Sequence, residues 1–169
     1  ERGLADRRAE LAARRAYRHL GRTAAFYREV LGVDLPRLIG VGSDDVDKST
    51  RPADLAAFMK PGATLLFTDG VHGGTAYQVG ATPDDLQARR WHSIPIRTYV
   101  DPVGAGDTFL SGVFAAWVHP ATVASWDGPD GDLRLGAACG SLILEGPGVY
   151  GVPYLADALE RMHGGDNPD

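Results

Sequence analysis

Residues 101–109 read DPVGAGDTF and run directly into an apolar segment, LSGVFAAWV. Gly104, Ala105 and Gly106 carry almost no side chain, and Asp107 follows them at the start of the predicted helix. The first backbone N–H groups of a helix lack internal partners and lie at the positive end of its dipole. An anion placed there gains hydrogen bonds and a favourable field together, and bulky side chains at 104–106 would block its approach. Asp107 has two readings. Asp is among the best helix N-caps, and capping alone would explain it. The second reading makes it a general base beside a phosphate that a nearby hydroxyl attacks. A weak base suffices for that, because the hydroxyl proton leaves late in a loose transition state.

The elements that must position this turn follow from the pattern of the chain. Residues 4–31 read as one long amphipathic helix interrupted by Gly21, ended by GVDLP (32–36). RLIGVG (37–42) is a short strand. SDDVDKSTRPADLAAFM (43–59) is a loop and then a helix, with Thr50 as its cap and Pro52 in its first turn. ATLLFTDG (63–70) is a buried strand, and GGTAYQVG (73–80) is a second one joined to it by a hairpin at the Gly pair. IRTYV (96–100) is a further strand that feeds the Gly-rich turn. LRLGAACGSLIL (133–144) is a helix of small residues able to pack closely, and GVPYLADALERM (151–162) is a closing helix. Alternating strands and helices predict α/β layers around a largely parallel sheet.

Composition narrows the class. With 169 residues, 44% apolar and 23% charged, the chain has the balance of one globular domain. No apolar run reaches transmembrane length, and residues 1–30 lack the apolar core of a signal peptide. The single cysteine, Cys139, excludes an internal disulfide and fits a cytoplasmic setting. His19, His72, His92, His119 and His163 show no ligand spacing, so no zinc site is expected. Eight Arg in residues 1–30 could suggest a nucleic-acid arm, but they alternate with Ala and Leu at helical spacing. The body of the chain is acidic, and the net charge is −5. Neither a nucleic-acid nor a membrane partner is expected.

DPVGAGDTFLSGVFAAW resembles the C-terminal signature of the ribokinase-like (PfkB) carbohydrate kinases, D-T-x-G-A-G-D-x-F followed by a small-residue helix. Asp101, Gly104, Ala105, Gly106, Asp107 and Phe109 fall in register, and Pro102 departs from the usual Thr. Upstream, LLFTDGVHGG resembles the family's T-x-G-x-x-G turn through Thr68, Gly70 and Gly73. Downstream, LGAACGSLILEGPGVYGVP resembles the nucleotide-side helix and closing Gly loop. The resemblance implies a ribokinase-like three-layer α/β sandwich and an ATP-dependent phosphotransferase acting on a sugar or nucleoside hydroxyl. Gly104, Ala105, Gly106 and the Asp107 backbone would form the anion hole, with the Asp107 side chain as base. Thr68, Gly70, Gly73 and Ala137 would line the nucleotide. A monovalent cation such as K⁺ would be held by the Asp101 carboxylate with carbonyls near Val103, Ile143, Gly146 and Gly148, and Mg²⁺ would arrive with ATP.

The resemblance covers about residues 62–162 and leaves residues 1–60 unassigned. The expected organisation is a segment 1–60, a nucleotide-binding and catalytic region 61–163, and a frayed tail 164–169. The family's N-terminal sugar-binding strands and β lid have no counterpart here, and the chain starts at Glu1 without Met. Ser43 stands where the Mg²⁺-organising motif has Asn, leaving Asp44, Asp45 or Asp47 to serve as its acid or to lie in a solvated loop. A kinase and a truncated, non-catalytic nucleotide-binding remnant both fit these features. A missing half would leave an apolar face open, which makes a homodimer an expected partner state. Cys139 reads as a small buried hydrophobe, His72 as an exposed turn residue and Trp117 as core. Trp91 and Trp126 read as loop residues with partial exposure.

Overall fold

A computed structural model describes residues 38–42, 51–57, 59–126, 128 and 130–164. The predicted helix 4–31, the Thr50 cap, and Asp44, Asp45 and Asp47 lie outside the described residues. By internal contacts the chain divides into two compact units: residues up to Thr68 with Thr75–Arg89, and Asp69–Gly74 with Arg90 onward.

In the first unit, β1 (Leu38–Gly42), β2 (Thr64–Thr68), β3 (Gly74–Val79) and β4 (Leu86–Trp91) form one sheet in sequence order; the ends of β3 and β4 run on into the second unit. β1 and β2 are parallel, with Leu38 opposite Thr64 and Gly42 opposite Thr68. Between them lies α1 (Pro52–Ala56). The rest of the described sheet is antiparallel. Val79 N–H donates to the Ala63 carbonyl (2.8 Å) and Asp69 N–H to the Gly73 carbonyl (2.7 Å), while Gly80 N–H closes the next turn on the Asp85 carbonyl (2.7 Å). These connections span only a few residues, too few for the crossover that a parallel pair needs. The parallel character predicted for the sheet is thus carried by the β1–β2 pair among the described strands.

Apolar alternation explains the core of this unit. Leu65 is fully buried against Leu55, with Met59, Phe67 and Tyr77 packed around them, and Ala56, Ala63 and Val79 form a second cluster. Helix α1 starts with Pro52 in its first turn, as expected. Its cap is Arg51, whose backbone N–H donates to Asp54 Oδ2 (2.9 Å), so the third-position carboxylate satisfies the helix entry.

The second unit is helical. Helix α2 (Ala105–Val118), α3 (Gly131–Ile143) and α4 (Leu155–Gly164) correspond to the three C-terminal helical segments read from the sequence. α2 and α3 pack through small residues. A Cβ on Gly112 would lie 2.9 Å from both Cys139 Sγ and Gly136 Cα, and one on Gly136 would lie 2.7 Å from Val113 Cγ2. Around this contact, Val113, Leu133, Leu135 and Ala138 are inaccessible to solvent. Trp117 is half-buried and donates its indole N–H to Asp132 Oδ2 (2.8 Å), a second tie between the same helices.

Two expectations are corrected here. IRTYV (96–100) is not a strand. Two of its N–H groups are taken by residues just beyond α3: Arg97 donates to Glu145 Oε1 (2.6 Å) and Val100 to the Leu144 carbonyl (2.7 Å). Trp91 is not a loop residue; it ends β4, is 7% exposed, and stacks on Phe109 with ring centroids 5.0 Å apart. Trp126 is half-buried, under the Arg134 guanidinium at 5.3 Å. No described helix is long and apolar enough to cross a membrane.

Candidate active site

The Gly-rich turn enters α2 as the sequence predicts. Val103 N–H donates to Asp101 Oδ1 (2.9 Å), so Asp101 folds the chain back on itself. Gly104 is the N-cap, with φ +85°, a conformation that suits glycine. Its carbonyl accepts the Thr108 N–H (2.9 Å), the first bond of the helix proper. The N–H groups of Gly106 and Asp107 have no backbone carbonyl partner among the described residues. Around Gly106 the chain leaves open space, since a Cβ there would meet nothing within 4 Å.

Asp107 is therefore the third residue of α2 and not its cap, which excludes N-capping as the reason for this residue. Its side chain is exposed and makes no hydrogen bond among the described residues, while its carbonyl accepts the Ser111 hydroxyl (2.8 Å). A carboxylate, two free N–H groups and open space thus meet at one helix start.

The loop after α3 closes around Asp101. Asp101 N–H and Val100 N–H both reach the Leu144 carbonyl, at 3.3 and 2.7 Å. A Cβ on Gly104 would lie 3.2 Å from Ile143 Cδ1, and one on Gly148 would lie 3.6 Å from Asp101 Oδ2. Gly146 and Gly151 touch so closely that a Cβ on Gly146 would lie 2.6 Å from Gly151 Cα. The structure thus brings Asp101, Val103, Ile143, Gly146 and Gly148 into one neighbourhood. Their donors are a carboxylate and carbonyl oxygens, a hard set suited to an alkali cation. One of them, the Ile143 carbonyl, already accepts the Gly146 N–H (3.2 Å). No cluster of three His, Cys, Asp or Glu able to hold a metal occurs among the described residues.

The residues 69–74 turn is equally built. Gly70 (φ +50°) and Gly73 (φ +84°) bound a single 3₁₀ turn, and the Asp69 N–H to Gly73 carbonyl bond closes it. Ser93 donates its hydroxyl to the Val71 carbonyl. A side chain on Gly73 would run into the Trp91 carbonyl, so this glycine is fixed by backbone approach as well as by φ. His72 is exposed on the turn, as expected. Thr68 ends β2 in the first unit, half-buried. Ala137 is buried in α3 at 6% exposure. Cys139 is buried too, and burial pushes its thiol up to about 11, consistent with a packing role.

Sequence reasoning missed Glu145 and Arg161. Arg161 of α4 forks onto Glu145 through two 2.9 Å bonds and also reaches the Pro95 carbonyl and the Ser141 hydroxyl, both at 3.3 Å. Arg161 holds the Glu145 carboxyl below the usual carboxylate range by hydrogen bonding, against the opposing effect of burial. A lone Glu after an apolar helix and an Arg in a final turn carry no signal that separates them from solvated charges.

Known structures share this fold. Arabidopsis thaliana ribokinase, solved with ribose and ATP, superposes with a TM-score of 0.57 at 18% identity, over 74% of this chain and 40% of that one. The Methanocaldococcus jannaschii nucleoside kinase, an archaeal member of the ribokinase family, gives 0.57 at 20% identity, over 80% and 43%. A Burkholderia thailandensis nucleoside kinase bound to inosine gives 0.56 at 20% identity, over 77% and 40%. The chain spans about two fifths of the length of each of these three. Residues 42–154 match the pfkB family of carbohydrate kinases, and the chain belongs to that family. No curated protein matches it significantly.

Proposed function

We propose that the chain supplies the nucleotide-side half of an ATP-dependent phosphotransferase acting on a sugar or nucleoside hydroxyl. The observation that carries this reading is Asp107 at the third position of α2, exposed beside the unpartnered N–H groups of Gly106 and its own backbone. In the proposed reaction the substrate hydroxyl oxygen attacks the γ-phosphorus of ATP and the bond to the β-phosphate oxygen breaks. Asp107 accepts the hydroxyl proton. The N–H groups of Gly106 and Asp107, in the turn Gly104–Asp107, receive the equatorial oxygens of the transferring group, whose charge they offset without reorganising. Residues 68–73 would face the nucleotide, with Thr68, Gly70 and Gly73 along its phosphates, and α3 near Ala137 would border the base. Asp101 with carbonyls near Val103, Ile143, Gly146 and Gly148 would hold K⁺, whose charge would steady the anion hole. Mg²⁺ would neutralise the ATP phosphates.

A second reading is favoured by one fact: the chain spans about two fifths of the kinases it resembles. On it, the chain binds nucleotide but transfers nothing. Titration with ATP–Mg²⁺ and assay of ribose and inosine phosphorylation separate the two, with Asp107→Asn as the control. The kinase reading expects turnover that falls at least ~10²-fold in Asp107→Asn, the lower end for a positioned base. It expects ATP affinity unchanged or slightly improved, because a repelling charge is gone. Binding without turnover leaves the second reading, and neither binding nor turnover overturns both.

A further inference from the structure

The approach to the anion-hole turn is held by a side chain that lies outside it. Residues 95–101 run without strand pairing, and their described N–H bonds lead to Leu144 and Glu145, just beyond α3. Glu145 Oε1 accepts the Arg97 N–H at 2.6 Å, and the neighbouring Leu144 carbonyl accepts Val100 and Asp101. Glu145 is itself immobilised by the two-pronged bond from Arg161, which is 8% exposed. The same guanidinium binds the Pro95 carbonyl, so Arg161 and Glu145 together grip the segment on both sides of Ile96. We infer that Glu145, fixed by Arg161, is the positioning residue that sets where Asp101 and the Pro102–Gly104 turn sit, and so aligns the start of α2.

The alternative is that the pair merely stabilises the unit. Charge chemistry distinguishes them. A mostly buried ion pair is commonly replaceable by apolar residues of similar volume with little loss of stability. An apolar pair fills the space but offers no acceptor to the Arg97 N–H and no donor to the Pro95 carbonyl. Stability and alignment should therefore part company in such a variant. Gln at 145 keeps a carbonyl oxygen for Arg97, so it should preserve alignment better than Leu.

The test compares the wild-type chain, the double variant Glu145→Leu/Arg161→Met, and the single variants Glu145→Gln and Arg161→Lys. Amide hydrogen exchange is read at Val100, Asp101 and Val103 against Val113 and Ala138 in the α2–α3 core, with ATP–Mg²⁺ affinity alongside. In the double variant, exchange at Val100 and Asp101 should quicken about tenfold more than at Val113 and Ala138, the loss of roughly one hydrogen bond's worth of protection. Glu145→Gln should lie nearer wild type. Exchange that rises in parallel at all five amides would overturn the proposal, as would failure of both the double variant and Arg161→Lys to fold. The consequence for ATP affinity, a loss of about tenfold in the double variant, rests on the proposed function. A wild-type chain that binds no ATP would sink that function, while the exchange comparison would still decide the positioning role.

Discussion

Gly106→Ala should make the protein more stable and a worse nucleotide binder. Glycine in a helix is less favourable than Ala by up to about 1 kcal/mol, and Gly106 is the second residue of α2. Neither φ nor packing requires it: its φ is not positive and a Cβ would meet nothing within 4 Å. The folded chain thus has room for the methyl group, and the melting temperature should rise by up to about 2–4 °C for a chain of this size. If phosphate oxygens approach the N–H groups of Gly106 and Asp107, the methyl crowds them. A hydrogen bond to a charged group contributes about 1.5–3 kcal/mol, so losing one lowers ATP affinity by about 10- to 150-fold.

Gly104→Ala supplies the contrast. Its φ of +85° costs an L-residue roughly 1–2 kcal/mol, and its Cβ would press on Ile143 Cδ1 at 3.2 Å. That variant should melt roughly 2–8 °C lower. Calorimetric titration with ATP–Mg²⁺ and a thermal melt on the same preparations read both quantities. Gly106→Ala with undiminished ATP affinity would refute the placement of the phosphates at this helix start. Gly106→Ala that melts lower would show that the space around it is needed by the fold.

Three further outcomes are expected. ATP affinity should be higher in K⁺ than in tetramethylammonium, and Asp101→Ala should erase the difference; equal affinities in the two salts for wild type would remove the cation from the site. Cys139 should resist thiol reagents in the native state. Burial pushes the thiol up to about 11 and covers it, so labelling at pH 8 should be much slower than in urea. Because Arg161 lowers the Glu145 carboxyl in the folded state, its contribution to stability is complete above about pH 4.3 and is lost as pH falls through the lowered value. Melting curves from pH 6 downward should decline less steeply in that window for Glu145→Gln than for wild type.

What the sequence made legible were features carried by local chemistry. The start of α2 is written in Gly104–Asp107 followed by an apolar run, and the closeness of α2 and α3 in the small residues of LGAACGSLIL. β2 and β3 announce themselves as apolar runs around a Gly pair. β4 does not: LQARRW puts Gln87 and Arg90, both exposed, and the half-buried Arg89 on a strand at the end of the described sheet, where apolar periodicity vanishes. IRTYV has strand composition, yet the carbonyl of Leu144 and the carboxylate of Glu145 capture the N–H groups of Val100 and Arg97, a tertiary competition that composition cannot register. Trp91 looked like a loop residue because the partner that buries it, Phe109, is distant in sequence. For Asp107 the residue type was informative and its position was not. The cap is Gly104, at φ +85°, three residues before Asp107, and boundaries of that fineness depend on the local backbone conformation.

The packing of α2 on α3 and the chemistry at the start of α2 are one arrangement. Gly112, Gly136 and Gly140 allow the helices to approach until backbone meets side chain: a Cβ on Gly140 would already touch Phe109 Cβ at 3.4 Å. That approach brings the first turn of α2 against the last turn of α3, where Gly104 meets Ile143. It also lets Leu144 and Glu145, just beyond α3, hold the segment that delivers Asp101. A wider helix pair with ordinary side chains could be as stable, because larger residues would fill the gap with apolar area. It would separate the loop 143–151 from Asp101, and the oxygen donors gathered there would disperse. The glycines inside the two helices carry a propensity cost of up to about 1 kcal/mol each that α2–α3 stability alone does not require. The geometry that needs them is the meeting of a helix start, a carboxylate and a carbonyl-rich loop at one end of the pair.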